Sequence, residues 1–269
     1  QRSVFEAGLI GCDIHSEFHA SDIFRSTHIL PRVGSTGYLA ALRKTIDEHS
    51  VDVFIPSSEP ELRWLADNPS YLETLGARCI LASQYAMEVG FDKLTTSKHL
   101  KSFDLPAPWS VSVSDSPNGP PELPCILKSR AGAGNSAVHF VDDREKCNHY
   151  SRLYPSYMWQ EYLPGTKGEF TCGVYRCLDD SVRVIAMRRR LAAGVTAYAQ
   201  VVHEASIVKL CKQIAESLDL RGSINVQLRI LEGRGPVVFE INPRFSSTVA
   251  MRHRVGFCDL IWSIQEQYL

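Results

Sequence analysis

The sequence has no apolar run approaching the roughly eighteen residues a membrane-spanning helix needs, so a membrane span is excluded from the reading. It has almost no imbalance of charge either. Its 29 Lys and Arg against 30 Asp and Glu leave a formal net charge of −1, too weak a field to gather nucleic acid or an anionic membrane. There is no CxxC pair among the eight cysteines, at positions 12, 79, 125, 147, 172, 177, 211 and 258. Zinc ribbons and dithiol redox sites need such close pairs. Free thiols in a reducing cytoplasm are therefore expected. No G-x-G-x-x-G opens a helix, which removes the dinucleotide fingerprint of a dehydrogenase. No signal peptide is expected from the opening residues, and internal repeat and low-complexity tract are absent too.

What remains is ordinary globular material. At 269 residues, 44% hydrophobic and 22% charged, the chain suffices for two or three lobes with cores of their own. Residues 1 to about 90 alternate helical and strand-like patterns: an amphipathic run at 41–49, a short apolar strand at 51–56, a helix from Pro60 to about Ala66, and a strand at 78–81. Such alternation implies a parallel sheet with helices on its faces, an α/β domain of Rossmann-like type. Residues 1–8 read as the tail of a helix stopped by Gly8, with no strand before it, so a first strand is expected to be missing. Residues 262–269 read as a helix cut in mid-course.

From Phe91 a helix is expected to about Phe103, stopped by Pro106 and Pro108. A strand at 125–128 leads into a small-residue loop, 131–137, and a strand resumes at 138–141. The unit is hairpin-like and lacks the helix that follows a P-loop. Further strands are expected at 169–175, 182–187, 221–230 and 236–241, with a helix over 207–218. The lobes are thus read as 91–163 and 164–269.

The chemistry concentrates in Glu240-Ile-Asn242-Pro-Arg244. Alternation along a strand puts Glu240 and Asn242 on one side, and Arg244 follows them. Hard oxygens of this kind suit Mg²⁺, and a guanidinium fork suits phosphate. The preceding strand adds the amide of Gln227. At Arg188-Arg189-Arg190 alternation sets the middle residue against the outer two, and which of the three meets a ligand is left open.

Glu240 to Arg244, with Asn225-Val-Gln227 before it, resembles the metal-binding signature of ATP-grasp enzymes, carbamoyl phosphate synthetase's large chain above all. The resemblance covers about residues 91–260, and the earlier residues are more weakly similar to the domain that precedes that fold. It implies an ATP-grasp fold of α+β lobes, with Mg²⁺ (or Mn²⁺) on Gln227, Glu240 and Asn242 and with Arg244 at the transferring phosphoryl group. It implies that Lys93 and Lys128 bind phosphates under a loop containing Gly132, Gly134 and Ser136. Gln160, Glu161 and Leu163 would meet adenine, and Glu169 the ribose. The expected activity is ATP-dependent joining of a small-molecule carboxylate to an amine through an acyl phosphate. The resemblance admits a homodimer. A nucleotide sensor without turnover and a bicarbonate-activating carboxylase stand as alternatives.

Overall fold

The computed structural model describes residues 7–17, 21–132 and 138–268. The helix tail expected at 1–8 falls mostly outside these residues, as do Gly134 and Ser136 of the small-residue loop. By its internal contacts the chain separates into two units, Gln1–Ile80 and Leu81–Leu269.

The first unit contains β1 (Ile10–Asp13), β2 (Ser26–Ile29), α1 (Tyr38–His49), β3 (Val53–Phe54), α2 (Glu59–Asp67), α3 (Ser70–Thr74) and β4 (Arg78–Cys79). β1 pairs with β2 and β3 with β4, both in parallel. The apolar stripe of α1 (Tyr38, Leu42, Ile46) packs with Leu30, Leu65 and Leu75 into one core. α2 starts where Ser58 accepts a hydrogen bond from the Glu61 backbone N–H, and a proline stands in its first turn. Ser26, His28 and His49 tie β2 to the end of α1, the two imidazole Nε2 atoms lying 2.8 Å apart.

The second unit opens with α4 (Gln84–Phe91) and α5 (Lys93–Ser102). α4, placed by sequence in the first domain, packs instead on α5 and on a strand of this unit. Asp92 separates the two helices: its backbone is extended and its carboxylate caps α5 by accepting from the N–H groups of Leu94 (2.8 Å) and Thr95 (3.1 Å). There follow β5 (Ser110–Ser112), β6 (Cys125–Lys128), β7 (Val138–Val141), α6 (Arg144–Leu153) and β8 (Met158–Glu161). They form an antiparallel sheet in the order β5-β8-β6-β7. Cys125, Leu127 and Trp159 face a core closed by Cys147 of α6. Strand alternation therefore turns Ile126, Lys128, Met158 and Gln160 to the other side.

The remaining elements are β9 (Glu169–Arg176), β10 (Val182–Ala192), β11 (Val195–Val202), α7 (Ala205–Ser217), β12 (Gly222–Leu231), β13 (Gly235–Asn242), α8 (Val249–Arg254) and α9 (Asp259–Tyr268). The strands build a five-stranded antiparallel sheet, β11-β10-β9-β12-β13. β11 has no counterpart among the strands expected from sequence. One face of the sheet is apolar (Phe170, Cys172, Val174, Val226, Leu228), and the stripe of α7 (Ile207, Leu210, Cys211, Ile214) is buried alongside it. The other face is polar at one end. At its far end Arg252 and Asp259 make a fully buried bidentate ion pair (3.0 and 2.5 Å), and Ser223 donates to the same carboxylate (2.5 Å). Arg252 crosses directly over Gly173: a Cβ there would lie 3.0 Å from its Nη1 and from the Phe257 ring. Among the described residues no helix is long and apolar enough to cross a membrane.

Breaking a buried ion pair by removing one partner leaves a stranded charge, which costs about 3–5 kcal/mol. Arg252→Met is therefore expected to lose about that much stability in urea unfolding. Combining it with Asp259→Leu should recover most of the loss, because neither charge then remains in the core.

Candidate functional site

The site is assembled by strand register. β9 is central, and Glu169 stands directly between Arg189 of β10 and Arg229 of β12. One step along, Thr171 faces Gln227, which in turn faces Glu240 of β13. One step further, Asn225 faces Asn242. Because residues two apart share a face, all of these side chains lie on the polar face of the sheet.

Hydrogen bonds follow that order. Glu169 accepts from Arg189 (2.6 and 3.0 Å) and from Arg229 (2.7 and 3.2 Å). Burial works to raise its carboxyl, but the hydrogen bonds and charges of the two arginines outweigh it and hold the group below the usual carboxylate range. Arg189 also donates to Gln227 Oε1 (2.6 Å). Asn242 Nδ2 donates to Glu240 Oε1 (3.1 Å), which places the two side chains side by side. Thr171 donates to Asn225 Oδ1 (2.8 Å).

Opposite this face stands Lys128, projecting from the last position of β6. Its side chain is buried, and its ammonium donates to the carbonyl of Phe239 (3.2 Å) and lies 5.7 Å from the centre of that residue's ring. The carbonyl is available because β13 carries a bulge: Gln227 faces Glu240 while Leu228 faces Val238, so Phe239 is the extra residue. Burial pushes the Lys128 ammonium down to about 8; the charge of Glu240 opposes this, while Lys93 and Arg229 add to it. The charges of residues 93, 169, 229 and 240 thus all bear on the ammonium of Lys128.

Lys93 is the first residue of α5. Its ammonium donates to the carbonyl of Gly132 (2.7 Å) and its backbone N–H to the carbonyl of Arg130 (2.9 Å). Arg130 is paired with the cap residue Asp92 (2.6 Å), so the start of α5 and the stem of the small-residue loop are tied at one carboxylate. Burial would raise Asp92, but Arg130 and the capped N–H groups hold it low.

At the end of β8 the buried Gln160 donates to Ser110 Oγ (3.1 Å). Glu161 pairs with Arg234 and accepts from the Trp109 N–H (3.3 Å). The Leu163 carbonyl accepts from Arg229, which thereby joins this segment to Glu169. The guanidinium of Arg244 turns to the carbonyl of Phe245 (3.1 Å) and, among the described residues, makes no hydrogen bond to the other named side chains. Arg229, Arg234 and Phe239 were not singled out from sequence. The period that selects Gln227 also selects Arg229, two residues on; nothing in sequence marks the bulge or the partner of Arg234.

The donor set fits a hard divalent cation. Among the described residues no group of three His, Cys, Asp or Glu side chains is arranged for a metal. The set here has one carboxylate and two amides, and among the described residues Glu240 Oε2 and Asn242 Oδ1 have no hydrogen-bond partner. Carboxylate and amide oxygens are what Mg²⁺ takes. A buried ammonium whose acceptor is a neutral carbonyl fits an anion.

A buried lysine held near 8 penalises the folded state below that pH. The penalty is relieved as pH rises towards the unfolded value near 10.4, and it amounts to about 3 kcal/mol at neutrality. In the ligand-free protein Lys128→Met is expected to be more stable than the parent at pH 7 in chemical denaturation. The advantage should shrink steadily between pH 8 and 10.

The family described as ATP-grasp domain matches residues 91–248. No curated protein matches the sequence. Similar solved structures include biotin carboxylase from Campylobacter jejuni in a β,γ-ATP complex, with a TM-score of 0.74 at 12% identity, over 96% of this chain and 64% of that one. L-amino acid ligase from Bacillus licheniformis gives 0.69 at 19%, over 90% and 63%. N5-carboxyaminoimidazole ribonucleotide synthetase from Thermus thermophilus gives 0.70 at 17%, over 91% and 67%. The chain thus spans about two thirds of the length of these proteins, and at such identities the likeness is one of fold.

Proposed function

We propose, from the premise that this chain belongs to the ATP-grasp family, that it carries the nucleotide site of an ATP-dependent ligase joining a small-molecule carboxylate to an amine. The observation that carries the reading is Lys128: a buried ammonium bonded to a backbone carbonyl, set across from Glu240 and its amide neighbours. A polyphosphate with its cation satisfies both sides at once.

In this reading Lys93 and Lys128 hold the phosphates in line, and the backbone around Gly132, with Gly134 and Ser136, covers them. Gln160, Glu161 and Leu163 line the place of the adenine, and Glu169 meets the ribose hydroxyls. Glu240, Asn242 and Gln227 hold Mg²⁺ or Mn²⁺, which supplies neutralising charge as the γ-phosphoryl group moves to the substrate carboxylate. Arg244, bonded to the backbone carbonyl of Phe245 rather than to a carboxylate, would leave that carbonyl to meet the transferring group. Catalysis by such a site is positioning and electrostatics, since the protein forms no covalent bond. An amine then displaces phosphate from the acyl phosphate. The structural likeness to an L-amino acid ligase supports an acid-plus-amine reaction.

The test is phosphate release from ATP over a panel of amino acids, other carboxylates and bicarbonate, each with and without amines. Release that needs an acid and an amine together is expected, and Glu240→Gln should reduce it by at least about a hundredfold. Tight nucleotide binding with no release under any combination would instead establish a sensor. Release driven by bicarbonate alone would establish carboxylation chemistry.

Protons give a second check. Burial pushes the Lys128 ammonium down to about 8 in the free protein, and the group must be charged when it faces phosphate. Calorimetry in buffers of different ionisation enthalpy should show net proton uptake on nucleotide binding at pH 8, growing as pH rises. Uptake should vanish in Lys128→Arg, whose side chain is always charged. Affinity of the parent should fall as pH rises above 8.

A further inference from the structure

Of the three consecutive arginines, only Arg189 lies on the polar face. Arg188 and Arg190 project from the opposite side of β10 and are exposed, one packed against Gly168, the other 5.5 Å from the ring of Tyr198. Arg189 points at two acceptors. Its Nε and Nη2 both reach Glu169 Oε1 (3.0 and 2.6 Å), and the same Nη2 reaches Gln227 Oε1 (2.6 Å).

That last contact conflicts with the assignment of Gln227 to a divalent cation. Mg²⁺ sits about 2.1 Å from a ligating oxygen. A guanidinium nitrogen already 2.6 Å from that oxygen would then lie within a few ångströms of the ion, and like charges so close inside a half-buried site repel strongly. The two cations therefore compete for the oxygen in this arrangement. Glu169, in contrast, is held by Arg229 from its other side and can keep Arg189 by Nε alone.

We propose that Arg189 is a positioning residue that acts as a resident cation. It occupies Gln227 Oε1 until a divalent ion arrives and then surrenders that oxygen, pivoting on Glu169. Its presence keeps the amide oxygen pointed into the site and sets how tightly the ion is held, because metal and guanidinium compete for one atom. The inference rests on the nucleotide-and-metal reading given above.

The experiment is Mn²⁺ binding by electron paramagnetic resonance, in the presence of a non-hydrolysable ATP analogue, on the parent, Arg189→Met, Gln227→Ala and the double variant. Arg188→Met serves as a control for loss of charge nearby. Removal of Arg189 is expected to tighten Mn²⁺ by about tenfold, the size of one charge-assisted hydrogen bond. In the Gln227→Ala background the same removal should change affinity little, and Arg188→Met should change it little in either. Arg189→Lys, which keeps charge but cannot span both oxygens, should tighten binding by a smaller factor and guards against a misfolded methionine variant. Equal tightening with and without Gln227 would overturn the proposal, since it would reveal a general charge effect. Weaker binding in both Arg189 variants would overturn it as well, marking a purely structural arginine. Failure of the parent itself to bind Mn²⁺ with the analogue would remove the nucleotide reading and this inference together.

Discussion

A positive charge kept out of water organises the second unit. Lys128 stands at the end of a strand whose other inward residues are apolar, and its ammonium is carried to a position beside a carbonyl oxygen and the face of an aromatic ring. Isolated ammonium groups do not persist in such surroundings unless something nearby is negative or about to be. Glu240 supplies part of the compensation across the gap between the sheets, and the two arginines around Glu169 show that the region as a whole carries more positive than negative groups. The arrangement is costly for the empty protein and complementary to a multiply charged anion.

The backbone is shaped to the same end. A single extra residue in β13 lets Phe239 offer its carbonyl and ring to Lys128 while Glu240 and Asn242 keep their places beside Gln227. Without the bulge, alternation would turn either the ring or the carboxylate away from the site. A second junction, Asp92, begins the helix of Lys93 and binds Arg130 at the stem of the small-residue loop. Lys93 and Lys128 are thus mounted on elements fixed by hydrogen bonds rather than on free chain.

Much of this is legible in sequence because it follows from period. Two-residue alternation places Glu240 beside Asn242, the resemblance adds Gln227 from the preceding strand, and the apolar stripe over 207–218 marks α7 nearly to its ends. What period cannot supply is partnership. Glu169 and Gln227 look alike in sequence as ligand-binding candidates, yet both are already engaged by Arg189, a fact fixed by which residues of β9, β10 and β12 stand opposite one another. Arg244, the most suggestive cation in its motif, turns to a neighbouring carbonyl. β11 escapes notice because this outer strand leaves Val195, Tyr198 and Val201 exposed and buries only Thr196, too little to imprint a two-residue pattern. In sequence Asp92 looks like part of a helix start, whereas its short carboxylate makes it the cap between two helices.

The crossing of Arg252 over Gly173 has a consequence for how this sequence can drift. A Cβ at 173 would press to 3.0 Å against the guanidinium, which is itself held by Asp259 at full burial. Positions 173, 252 and 259 are therefore tied into a joint choice: a side chain at 173 fits only where Arg252 and the Phe257 ring give by a few tenths of an ångström, and it fits more easily in lineages that have exchanged the ion pair for something smaller. Across descendants of this chain the three columns should vary together or stay silent, although they are separated by as many as 86 positions (173 to 259) in the sequence.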